Sequence, residues 1–137
     1  MNAAAFLIKA AAQRPGYVAL RHGERTITYG ELSERVRRMA AGLRKLGLED
    51  GDRVLILQRN SPELVETLQG GMAAGLTVVP VNVRLHPGEV AYIARDAGAR
   101  VIVHGEEFND RLAEISHELE TVEQRVSLAP KSRRNRL

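Results

Sequence analysis

No cysteine occurs among the 137 residues, which excludes a disulfide framework and a metal held by thiolates. Nothing therefore points to an oxidising compartment, and a cytoplasmic location is expected. A membrane-length apolar run is also missing. The opening stretch "MNAAAFLIKAAAQRPG" is interrupted by Lys9 and is too short to cross a bilayer. No basic side chain precedes its apolar part, as one would in a signal peptide, so no integral membrane segment is expected and the stretch reads as an ordinary helix. The glycine patterns that cradle phosphates are absent too: no G-x-G-x-x-G follows a strand and there is no G-x-x-x-x-G-K-[ST]. Without a G-x-S-x-G elbow Ser61 is not exposed as a nucleophile. Without H-E-x-x-H the four histidines, His22, His86, His104 and His117, form no metal motif.

What is present is ordinary globular material. Hydrophobic residues make up 44% and charged residues 27%, enough apolar surface to bury a core in a chain the size of one domain. The formal charge of +3 is concentrated at the end, where "KSRRNRL" carries four basic and no acidic side chains; without it 16 basic residues face 17 acidic ones. The body is thus not a polyanion-binding surface, and the tail has no aromatic side chain on which bases could stack. No nucleic-acid partner is expected.

From Arg53 onward, β-branched runs alternate with amphipathic segments. Strands are predicted at Arg53–Gln58, Leu76–Val81, Arg100–His104 and Arg125–Leu128. Between them lie helical faces formed by Leu64, Val65, Leu68 and Met72, by Val90, Ile93, Ala94 and Ala97, and by Phe108, Leu112, Ile115 and Leu119. Such alternation demands parallel pairing through helical crossovers, so the fold class is α/β, a doubly wound, mainly parallel sheet flanked by helices. Upstream, "YVALRHGERTITY" predicts a hairpin turning at His22 and Gly23. Thr28 and Glu31 predict a capping box for a helix that stops at Gly47, and Ser61 with Pro62 predicts the start of another. Gly70 and Gly71 each weaken a helix by about 1 kcal/mol relative to alanine, for which close backbone approach by a neighbouring element is the expected compensation.

Candidate chemistry concentrates where the strands end. In "TVVPVNVRLHPGEV" the strand runs Thr77–Val79, and Pro80–Leu85 is its exit at the edge where α/β proteins bind ligands. Asn82 and Arg84 sit on that exit, and His86 precedes a helix begun by Pro87. As a cap His86 is expected to serve less well than serine or threonine. His104 ends the next strand, and "HGEE" could be drawn as a metal or acid/base cluster. A strand-to-helix turn with acids at a helix N-terminus accounts for it better.

Two stretches go further. "ITYGEL", Ile27–Leu32, resembles the first core motif of the adenylate-forming enzymes, a family of acyl- and aryl-CoA synthetases, peptide-synthetase adenylation domains and luciferases. "GMAAGLTVVPVN", Gly71–Asn82, resembles the second, and "GDRV" and "NSPE" between them match in order and spacing. The resemblance spans roughly Arg14 to Val103. It implies a ligase that uses ATP and magnesium to turn a carboxylic acid into an acyl-adenylate and passes the acyl group to a thiol such as coenzyme A. The family's phosphate loop with its lysine, Tyr-x-x-Thr-Glu motif, ribose-binding aspartate and C-terminal lysine all lie downstream of these two motifs.

No catalytic, cofactor-binding or metal residue is therefore carried over, and ATP, magnesium and coenzyme A are implied only for a complete member. Residues 1–128 are expected to form a partial N-terminal subdomain, with an N-terminal helix and β-hairpin, and 129–137 a basic disordered tail. The chain is expected to be an N-terminal fragment, inactive alone and of marginal stability, with an exposed sheet edge that invites self-association. Fatty acid metabolism is the expected setting, while the acyl substrate and the choice of coenzyme A or a carrier protein stay open. The alternatives are a non-enzymatic α/β interaction or dimerisation module and, more weakly, a small metal protein working at His104.

Overall fold

The computed structural model describes residues 2–129; the tail expected over 129–137 lies, apart from Ala129, outside them. The chain divides into two compact units, Met1–Asp52 with Asn60–Thr77, and Arg53–Arg59 with Val78–Leu137.

The first unit is mainly helical. It contains α1 (Ala4–Gln13), the antiparallel hairpin β1 (Val18–His22) and β2 (Arg25–Thr28), α2 (Tyr29–Arg44) and α3 (Pro62–Ala73). The hairpin turns at Gly23 and Glu24, not at His22 and Gly23: His22 is the last residue of β1, paired with Arg25. Thr28 opens α2 with the capping box its sequence implies, its Oγ1 accepting from Glu31 N–H at 3.2 Å while the Glu31 carboxylate accepts from Thr28 N–H at 3.0 Å. Ser61 Oγ caps α3 by accepting from Leu64 N–H, also at 3.2 Å. Leu7, Ile27, Leu32 and Val36 form the core. At Gly70, one of the pair, a neighbouring element does come close: a Cβ there would run into Met39 Cβ and Cγ and come within 3.4 Å of Ala40 N, so α2 and α3 interlock at a position where a side chain collides. Two ion pairs flank this contact, Arg25–Glu63 at 3.1 Å and Arg35–Glu66 at 2.9 Å, the latter with a buried carboxylate.

The second unit holds a four-stranded sheet in the order β4-β3-β5-β6, made of β3 (Arg53–Leu57), β4 (Thr77–Pro80, entering this unit at Val78), β5 (Val101–Gly105) and β6 (Gln124–Leu128). β3 with β5 and β5 with β6 run parallel, Val54 opposite Val101 and Val101 opposite Gln124. This is the α/β fold with a mainly parallel sheet that the strand-helix alternation implies. Alternation sends Leu55, Leu57 and Ile102 to the face covered by α4 (Pro87–Ala97) and α5 (Asn109–Glu114), where Val90, Ala94, Phe108 and Leu112 complete a dry core. The single helix expected through Phe108, Leu112, Ile115 and Leu119 is broken. A 3₁₀ turn at Glu106–Phe108, the six residues of α5 and a second 3₁₀ turn at Ser116–Glu118 replace it. All four apolar residues are buried nonetheless, because 3₁₀ geometry changes the period only from 3.6 to 3.0.

Arg53 ties the start of β3 to the end of α4. Its Nε donates to Ala97 O at 2.7 Å, and its guanidinium would lie 2.7 Å from a Cβ on Gly98, whose φ of 63° already favours glycine.

Candidate functional site

The C-terminal ends of parallel strands gather unpaired loop backbone at one edge, which is why ligands of α/β proteins bind there. In the second unit this edge consists of the residues after β3, β4 and β5.

β4 runs one residue further than the expected Thr77–Val79, ending at Pro80, and the exit begins at Val81. Val81 N–H still donates to Ile56 O at 2.9 Å, and in a parallel ladder the bonding residues alternate, so the nitrogen of Pro80 faces the open side and its missing N–H costs the sheet nothing. Asn82 then turns the chain: its Oδ1 accepts from Arg84 N–H at 2.9 Å, and its carbonyl accepts from Leu85 N–H at 3.2 Å. Arg111 on α5 fixes the same loop by donating to Val83 O at 3.0 Å. The loop ends at His86, whose Nδ1 accepts from Gly88 N–H at 3.1 Å while the Glu89 carboxylate accepts from His86 N–H at 2.8 Å. With Nδ1 as acceptor, the neutral ring carries its proton on Nε2. Histidine thus performs the cap that serine or threonine performs elsewhere.

After β5, His104 is buried and its Nδ1 donates to Gly105 O at 2.8 Å. Burial lowers its pKa. The Gly105 hydrogen bond opposes that shift, Arg125 adds to it and Glu107 opposes it. Glu107 folds back over Gly105 and reaches Arg59, the residue following Gln58 at the end of β3, at 3.7 Å. The Arg59 and Arg111 guanidiniums each lie 5.7 Å from the centroid of the buried Phe108 ring, within reach of a cation–π contact. Beside them an apolar crevice runs between Leu57, Val83, Leu85, Val90 and Ile115.

The structure thus brings Asn82, Arg84, His104 and Glu107 to the sheet end where the sequence placed them. Asn82 and Arg84 shape the exit loop and His104 bonds within the strand-to-helix turn, while Glu107 reaches across to Arg59 beyond β3. Ser61 is an N-cap in the first unit. Among the described residues no group of three or more histidine, aspartate or glutamate side chains converges to hold a metal ion. The sequence does not single out Arg59 or Arg111. Arg111 acts on Val83, a partner distant along the chain, and local spacing carries no signal of that.

This geometry belongs to a large group of proteins. The AMP-binding enzyme family matches residues 7–136. Feruloyl-CoA synthase from Amycolatopsis sp is 40% identical over 109 residues, covering 80% of this chain and 22% of that protein. The 3-hydroxybenzoate–CoA ligase of Aromatoleum sp. is 37% identical over 113 residues, covering 82% and 21%. Among solved structures, the anthranilate CoA ligase AuaEII in complex with anthranoyl-AMP superposes with a TM-score of 0.89 at 30% identity, over 93% of this chain and 25% of the other. The chain spans about a fifth of the length of the curated relatives it matches. With the family profile covering nearly every residue and the relatives and solved structures agreeing, the chain belongs to the AMP-binding, adenylate-forming enzymes of the acyl-CoA synthetase type.

Proposed function

We propose that this chain supplies the opening scaffold of an ATP-dependent ligase that joins a carboxylic acid to coenzyme A. In that reaction the carboxylate displaces pyrophosphate from ATP to give an acyl-adenylate, and a thiolate then displaces AMP to give the thioester. The observation that carries the proposal is the family match along residues 7–136, joined to the Thr28 helix cap and the Asn82 turn, each built from one of the two motif segments. The relatives named above act on ferulate, 3-hydroxybenzoate and anthranilate, while others of similar likeness act on fatty acids, so both aryl and fatty acids stay within the proposal.

In this reading ATP and magnesium are held by residues outside this chain: its sequence has no phosphate loop, and Asn82, His86 and His104 bond to backbone of their own turns. Its part is to set strand exits in place, with catalysis supplied by chain of the kind found further along its relatives. In this reading residues 1–128 form the scaffold and the protein works in the cytoplasm without a nucleic-acid partner.

A chimera tests it. In the complete Amycolatopsis feruloyl-CoA synthase the corresponding segment is replaced by residues 14–103 of this chain, and ATP-dependent pyrophosphate release with ferulate is measured beside that of the 137-residue chain alone. A folded, active chimera and an inactive isolated chain are the expected results. A folded but inactive chimera, or turnover by the isolated chain, overturns the proposal.

A further inference from the structure

Among the described residues the sheet ends in two unlike edges. At β4 the open side meets the nitrogen of Pro80, which has no hydrogen to donate. At β6 no proline interrupts Gln124–Leu128. Glu123 N–H donates to Arg100 O at 2.8 Å, and because bonding residues alternate along a parallel strand, Arg125 and Ser127 also turn their backbone toward β5. Gln124, Val126 and Leu128 therefore direct N–H and C=O outward, beyond the last strand of the sheet.

We propose that this edge pairs antiparallel with the β6 of a second copy of the chain, across a two-fold axis at Val126. The register is what selects a second copy. With Val126 opposite its own counterpart, Gln124 meets the partner's Leu128 and every outward group of the strand finds an outward group. Sliding the pairing one way would use Val122, whose N–H already goes to Leu119 O at 3.1 Å; sliding it the other way would use Pro130, which has none. In the remaining register Arg125 faces the partner's Ser127, so no like charges stand directly opposite. The half-buried Val126 side chains form a β-branched cross-strand pair on the other face. A five-residue edge buries far less than the roughly 1,600 Å² of a standard stable interface, so the dimer forms in a concentration-dependent equilibrium. The pairing rests on the strand alone and is independent of the ligase reading.

The absence of cysteine makes the test direct. Bonded antiparallel partners lie about 5.5 Å apart at Cα, inside the span of about 4.4–6.8 Å that a disulfide bridges. Val126→Cys in the 137-residue chain should therefore oxidise to a covalent dimer. Gln124→Cys, displaced by about 13 Å along the strand, and Val78→Cys on β4 should form no covalent dimer. Sedimentation of the unaltered chain should show a dimer that dissociates on dilution, and Val126→Pro should abolish it with circular dichroism unchanged. A chain that is monomeric at its highest soluble concentration overturns the proposal, as does cross-linking of the Gln124 or Val78 variant as readily as the Val126 one. Should the proline variant fail to fold, the comparison among the cysteine variants still decides.

Discussion

The first unit is held where helices meet through charged side chains and a backbone stripped of its Cβ; the second is held by an apolar sheet face under short helices. Arg35–Glu66 and Gly70 against Met39 are contacts of fit, in which a long side chain must find one partner. Leu55, Ile102, Phe108 and Leu112 are contacts of volume, dry and close-packed. The difference teaches where each unit is vulnerable: the first to added bulk, the second to removed bulk.

The largest expected effect follows from removing volume. Phe108→Ala should lower the unfolding free energy by about 3–5 kcal/mol, read by urea titration with the transition followed through the sheet. A loss below that of the glycine variant would reverse the comparison. Gly70→Val should cost about 1–3 kcal/mol, since the strain of overpacking exceeds whatever helix propensity the new residue brings. A variant as stable as the parent would mean that Met39 swings aside freely.

The caps sharpen the comparison, because each unit has a reciprocal one. Thr28→Ala and His86→Ala should each cost about 1 kcal/mol, measured as equilibrium stability of the two variants side by side. A negligible loss at His86 would show that imidazole caps a helix in geometry only.

The smallest effect is a dependence on pH at His104. Burial lowers its folded pKa below the ordinary 6.5, so between the two values the unfolded chain binds more protons than the folded one. Its contribution is complete above pH 6.5 and is lost as pH falls through the folded value. The stability difference between the parent and His104→Gln should therefore shift against the parent on acidification from neutral pH. A difference constant with pH would show that burial does not set the protonation of this ring.

Much of the fold is legible in the chain because its signals are local. The box at Thr28 and Glu31, the Ser61–Pro62 start and the β-branched runs each act within a few residues, and the structure contains them all. The hairpin turn sits one residue later than expected because His22 and Glu24 are both tolerated beside a glycine, and pairing with Arg25 decides which one stays in the strand. The break around α5 is hidden because Phe108, Leu112, Ile115 and Leu119 keep almost the same spacing through 3₁₀ turns as through a helix. At the candidate site, Asn82 and His104 can be placed from the strand ends. Arg111 cannot, since its hold on Val83 O joins segments separated by the whole of α4.

The parallel register has a consequence in time. Val54 of β3 finds its neighbour Val101 only after α3, β4 and α4 have been made, and Arg53 meets Ala97 across the same interval. Closing so long a segment must precede any reward from the central strand pair. The hairpin and the capped helices can therefore form early, while β3, almost wholly apolar, has only β4 to pair with until β5 arrives. During synthesis that half-paired strand is open to aggregation, and the speed with which β5 arrives sets how long it stays so.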